Sequence, residues 1–402
     1  MHVTPFFRSC LSSAVLFLIV LASASCTSQR GKEMRQEAYS RMDQVNAGLL
    51  NEQATTAFET GQLDKALNLS NQAIDRFPKG STHHVLRGRI LMELDRLAEA
   101  ERAFNEAIDL NEEDAMPHYF LGIVYERLSR DDLAHAGFMK AAEMEPDKLQ
   151  FLMASVESLM AQNRLEQAEA LLQERFDGFE HNAALHHLHA QLMVMQGRDD
   201  DASSSYQMAS LLAPDDQDVL GEWTRLLHQQ GDHAGVLASL QELRHLHEVT
   251  PALDLQLMEA RSLASMGRHS DARGQYQEIV RANPDRLSTW HEFGLFAWEL
   301  EDWRSLERCA NRLRAAGDRS VQARLFMAVV QREEGSLEES EKTLKEILED
   351  APDSPMANAI LAGVCLSRGK NEEAQKAMQV AVKSAPVGAD DTRVTGILGT
   401  GP

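Results

Sequence analysis

Apolar and polar positions along most of this chain follow a helical rhythm, and the rhythm itself repeats. Five stretches line up without gaps: GQLDKALNLSNQAIDRFP from Gly61, GRDDDASSSYQMASLLAP from Gly197, GRHSDARGQYQEIVRANP from Gly267, GSLEESEKTLKEILEDAP from Gly335 and GKNEEAQKAMQVAVKSAP from Gly369. Each has Gly first, Ala or Ser five residues later and Pro seventeen residues later. Gly335 and Gly369 are 34 residues apart, Gly61 and Gly197 four times 34, and Gly197 and Gly267 two periods plus two residues. Alanine-rich amphipathic stretches of this kind predict helices, not strands.

A 34-residue period with these small residues and a terminal proline resembles the tetratricopeptide repeat. Ten units are framed: 47–80, 81–114, 115–148, 149–182, 183–216, 217–250, 253–286, 287–320, 321–354 and 355–388. The third is the clearest, with Leu121, Gly122, Tyr125, Ala134, Phe138, Ala141 and Pro146 at the expected places. Units four, six and eight are degenerate, with Val236 where Ala is usual, and residues 251–252 read as an insertion that marks a weak spot at 248–253. The resemblance implies an all-α, right-handed superhelical solenoid of about ten helix pairs over residues 47–388. Close helix crossings need Gly or Ala, and proline ends each second helix.

The first 25 residues carry Arg8 and no acid, then an apolar run from Ala14 to Ala22, then small residues, which is the anatomy of a secretory signal. The run is shorter than the roughly 20 residues a membrane-spanning helix needs. Ser23-Ala24-Ser25-Cys26 resembles a bacterial lipobox, with Ser23 in place of the usual Leu. Two outcomes stay open: lipidation of Cys26, or cleavage after Ala22-Ser23-Ala24. On the first, residues 1–25 are a signal peptide and 26–46 a polar tether turning helical near Met34; Thr27 after the cysteine favours the outer membrane. Residues 389–402 read as a flexible tail.

Charge narrows the partners. The formal net charge is -22, which speaks against a nucleic-acid binder. Four cysteines, one of them within the first 25 residues, are too few for a disulfide scaffold. Cys309 and Cys365 fall in non-adjacent units and are expected as separate buried thiols.

The histidines His181, His186, His187 and His189 invite a metal reading. In the repeat frame His186 and His189 face the packing layer, so a packing role is expected and no metal. No H-E-x-x-H or G-x-S-x-G occurs, and GVCLSRGKN from Gly363 fails the phosphate-loop spacing. The expectation is a protein that is not an enzyme, takes no cofactor and has no small-molecule substrate.

What the resemblance implies instead is a groove lined by the first helix of each pair. Carried over by position, its residues are Met116, Tyr119, Ile123 and Arg127; Met153, Glu157 and Met160; His187, Gln191, Val194 and Met195; then Arg225, His228, Arg261, His291 and Trp298. A protein or peptide partner is expected there. The whole reads as a membrane-anchored scaffold of the bacterial cell envelope, in outer-membrane assembly, secretion or exopolysaccharide export. The alternatives are a soluble periplasmic carrier or chaperone and an accessory subunit of a cell-wall or polysaccharide enzyme complex.

Overall fold

The structure, a computed structural model, describes residues 6–247 and 250–384, with side chains described for 32–245 and 250–384. Among these it consists of helices and turns. The pairs are α1 (Phe6–Glu59) with α2 (Leu63–Arg76), α3 (Ser81–Glu93) with α4 (Leu97–Leu110), α5 (Ala115–Arg127) with α6 (Asp131–Met144), α7 (Leu149–Ala161) with α8 (Leu165–Arg175), and α9 (Ala183–Met195) with α10 (Asp199–Leu212). They continue as α11 (Gln217–Gln230) with α12 (His233–His247), α13 (Leu253–Ser265) with α14 (His269–Ala282), α15 (Leu287–Glu299) with α16 (Trp303–Ala315), α17 (Val321–Glu333) with α18 (Leu337–Asp350), and α19 (Pro355–Ser367) with α20 (Asn371–Ser384). From α3 onward every first helix starts on the first residue of its framed unit.

The turn inside each pair explains the recurring glycine. The fifteenth position of a unit adopts a left-handed backbone in all ten pairs: Gly61, Gly197, Gly231, Gly267, Gly335 and Gly369 there have φ of 71–80°, and Asp95, Ser129, Asn163 and Glu301 have φ of 53–57°. Glycine takes this conformation without a Cβ clash, whereas the other four hold it under strain. The close crossing is equally visible: a Cβ added at Gly122 would sit 2.5 Å from the ring of Phe138. Five first helices carry side-chain N-caps, at Asp114, Asn182, Asp216, Ser320 and Ser354, and Asp302 caps the second helix α16 in the same way.

The degenerate units end differently. In unit four α8 is short and closes in a 3-10 turn, Phe176–Gly178. Unit eight lacks the proline, and Gly317 with φ of 75° stops α16 instead. The insertion is where the period placed it, since α13 starts 36 residues after α11. It is tied down: Pro251 is buried, and Gln256 Nε2 donates to its carbonyl at 2.7 Å. The chain forms two compact units that meet at Leu212/Ala213, one holding α1–α10 and the other α11–α20.

In each unit the buried residues form a thin layer that runs from pair to pair. In the first it holds Leu91, Phe104, Leu121 and Val124 and, further on, Phe151; in the second, Phe326, Leu306, Leu344 and Ile360. Each pair covers its apolar stripe only with its neighbours.

At the N-terminal side the helix begins at Phe6, upstream of the Met34 onset expected for the tether. No proline interrupts residues 6–77, and the 26–46 segment is rich in helix formers. The side chain of Cys26 and the tail 389–402 lie outside the described residues. No helix among the described residues is long and apolar enough to cross a membrane.

Candidate functional site

Within each unit the first helices of consecutive pairs touch: α1 with α3, α3 with α5 and α7 with α9 in one, α11 with α13, α15 with α17 and α17 with α19 in the other. The second helices of consecutive pairs make at most marginal contact. The first-helix layer is therefore the inner side of each stack, and the side chains it leaves uncovered line one face.

In the first unit that face is apolar and adaptable. Met116, Tyr119 and Ile123 are half-buried: the first two lie against the Phe151 layer, Ile123 against the Leu121 layer. Met153 is half-buried, while Val194 and Met195 are 38% and 48% exposed. Met160 departs from the expectation. It is 8% exposed and belongs to the core, because its helix is apolar on most sides and turns this position inward. Glu157 is open to solvent yet crowded by protein; this partial desolvation, with Glu126 nearby, raises its carboxyl pKa. His187 packs against the Tyr206 ring and lies 3.2 Å from Gln191 Nε2. Arg127 donates to the Met92 carbonyl at 3.0 Å, which closes the end of α3.

Sequence reasoning missed the most organised group on this face. The Arg89 guanidinium lies between the rings of Phe58 and Phe120, 5.1 and 5.4 Å from their centroids. The signal was available: Arg89 is the ninth residue of its unit, the position that yields Ile123, Glu157, Gln191, Arg225 and Arg261 elsewhere.

In the second unit the predicted cations are already engaged. Arg225 pairs with Asp254 at 2.9 Å, and Arg261 forks onto Glu292 at 2.7 and 2.8 Å. Both pairs run from one first helix to the next. Tyr276 adds its hydroxyl to Glu292 at 3.0 Å, and burial together with that carboxylate raises its pKa. His228 has its pKa lowered, first by burial and then by Arg261 and His233. His291 meets Asp318 at 2.6 Å, and Trp298 stands edge-on to Phe326 at 5.9 Å. Arg225, Arg261 and Trp298 thus link one pair to the next, while the His291–Asp318 bond closes its own pair.

Three of the candidate metal histidines, His186, His187 and His189, are engaged in packing, while His181 is exposed. His186 Nε2 donates to the Glu180 carbonyl at 2.7 Å, and His189 Nδ1 meets Ser205 Oγ at 2.7 Å. Both rings stand edge-on to Phe176. Among the described residues one other group has metal-like composition, Glu341, Cys365 and Glu373, with donor atoms within 4.8 Å of one another. Glu341 there is taken up by Lys345, Arg368 and Lys370 at 2.6–2.7 Å, and the Cys365 thiol has its pKa raised by burial. The group is an ion-pair network. Cys309 and Cys365 are free and fully buried, and burial pushes the Cys309 thiol to about 12.

The family model described as Tetratricopeptide repeat matches residues 51–115, 85–148 and 332–389. A TPR repeat-containing protein of Treponema pallidum is 27% identical over 212 residues, which is 47% of this chain and 26% of that protein. DnaJ homolog subfamily C member 3 of Rattus norvegicus is 24% identical over 241 residues, 58% of this chain and 44% of that protein. The chain thus spans less than half the length of either. A solved tetratricopeptide repeat protein from Parabacteroides merdae covers 61% of this chain and 96% of its own at 15% identity, with a TM-score of 0.45.

Proposed function

We propose that this chain, which carries tetratricopeptide repeats, is a scaffold that holds a protein or peptide partner on its first-helix face and performs no chemistry of its own. One observation carries this reading. Apolar side chains remain partly or wholly uncovered along one face of the first unit, from the half-buried Met116 and Ile123 to the exposed Val194 and Met195, beside the oriented Arg89. Methionine adapts to irregular partners, and arginine and aromatic residues concentrate binding energy.

Location is part of the proposal. The apolar run before Ser23-Ala24-Ser25-Cys26 supports a bacterial lipoprotein, anchored through Cys26 in the outer membrane and facing the periplasm. The anchor would raise the effective concentration of scaffold beside membrane machinery for outer-membrane assembly, secretion or exopolysaccharide export. The site at Ala22-Ser23-Ala24 supports a second reading, a soluble periplasmic carrier or an accessory subunit released by cleavage there.

The test is the intact mass of the mature protein and of a Cys26→Ala copy, with partners captured from each. A lipid-modified mass starting at Cys26, lost in the variant, supports the anchored scaffold. A mass starting at Ser25 in the soluble fraction supports the carrier. Capture unaffected by Ile123→Glu and Met195→Glu contradicts the docking face itself.

A further inference from the structure

The second helices form the outer layer of each stack, and one of them differs from all the others in charge. Helix α16 carries Arg304, Arg308, Arg312 and Arg314 against the single acid Glu307, a sum of 4 - 1 = +3. By the same count each of the other nine second helices is neutral or negative. The chain as a whole stands at -22.

The arginines of α16 are also poorly neutralised. Elsewhere arginines reach carboxylates, as Arg225, Arg261, Arg273 and Arg368 do. Among the described residues no carboxylate pairs with Arg304, Arg308 or Arg314; Arg308 meets only the Ser305 hydroxyl and Arg314 only Asn311. Arg312 alone reaches an acid, Asp285 at 2.9 Å. Arg304, Arg308 and Arg312 follow at four-residue spacing, so their Cβ atoms stand about 6 Å apart and the charges repel. Arg304 lies in the first turn, where the helix dipole disfavours a cation. Leu306, Cys309, Ala310 and Leu313 hold the opposite side of the helix in the core, which leaves this row facing out.

We propose that the outer face of α16 is a second docking surface, distinct from the first-helix face, for an acidic protein segment rich in Asp and Glu. A row of forked guanidinium groups matches carboxylates spaced along an extended or helical segment. The exposed residues among its arginines are small or polar, Asn311 and Ala315, so the row lacks the large apolar anchor a bilayer-binding helix needs.

The test uses fluorescein-labelled decaglutamate, with decaglutamine, a ten-nucleotide oligothymidylate and phosphatidylglycerol vesicles as comparison probes. The full chain is expected to bind decaglutamate and not decaglutamine, with affinity falling as salt rises. The double variant Arg304→Gln/Arg308→Gln is expected to weaken decaglutamate binding at least fivefold. Helicity and Tm should be no lower, since the change relieves repulsion. Lys342→Gln on α18 should leave binding within twofold. Absent binding, equal binding of decaglutamine, or full binding by the double variant overturns the proposal. So does tighter binding of the oligonucleotide or the vesicles through the same arginines. Ile123→Glu and Met195→Glu should leave decaglutamate binding intact, which separates this surface from the first-helix face.

Discussion

His186 donates through Nε2 to the carbonyl of Glu180, 2.7 Å away, at the repeat position where Trp290 donates to Pro284. His84 and Asn358 do the same toward Pro78 and Pro352. In these four units the fourth residue of the first helix thus satisfies the carbonyl of the third-last residue of the preceding unit, with three different side chains. A carbonyl only accepts, so the His186 proton sits on Nε2.

This bond yields the first prediction. His186→Asn should cost under about 1 kcal/mol, because Asn358 makes the same bond, whereas His186→Leu leaves a carbonyl unpaired and should cost roughly 1–3 kcal/mol. Urea unfolding measures both. Zinc or a chelator should not move the midpoint; a rise with zinc that His186→Asn abolishes would restore the metal reading.

The left-handed turn supplies the second. Glu301 holds φ of 53° where six other units place glycine. Glu301→Gly should raise stability by about 1 kcal/mol, and Gly335→Ala should lower it by a similar amount. Equal midpoints for wild type and both variants would show that this turn carries no strain.

These two positions show what the sequence disclosed and what it hid. The period placed the start of every first helix from α3 onward because a 34-residue repeat averages out local exceptions. The same average concealed the residues that deviate. Asp95, Ser129, Asn163 and Glu301 take the glycine conformation with no compositional sign of it. Arg89 was in register but unremarkable until Phe58 and Phe120 closed on it. Arg225 and Arg261 read as open binding cations because Asp254 and Glu292 lie about thirty residues away in sequence.

Third, the two methionines expected together on the docking face should behave differently. Met160→Glu places a charge in the core and should cost several kcal/mol and most of the helical melt. Met195→Glu, at an exposed position, should change stability by less than about 0.5 kcal/mol while weakening partner capture. Circular dichroism melts read the first effect and pull-down the second. Equal melts for both variants would place Met160 on the surface.

Fourth, Glu341 gives a pH signature. Hydrogen bonds from Lys345 and Lys370 hold its carboxyl at about 2, below its ordinary 4.5. A depressed carboxylate contributes stability above its unfolded pKa and loses it as pH falls through the folded value. Glu341→Gln should therefore unfold earlier than wild type at pH 7, by roughly 2 kcal/mol. The gap should narrow between about pH 4.5 and pH 2. A gap that stays constant across that window would show that the network does not hold the charge.

The docking face itself is tested most directly by a photocrosslinking residue placed at Ile123 on α5 or at Leu133 on α6, in living cells. Both positions belong to the same helix pair, and Leu133 is 49% exposed on the outer layer. Discrete partner adducts from Ile123 and none from Leu133 are the predicted result. Adducts from Leu133 with none from Ile123 would contradict the account.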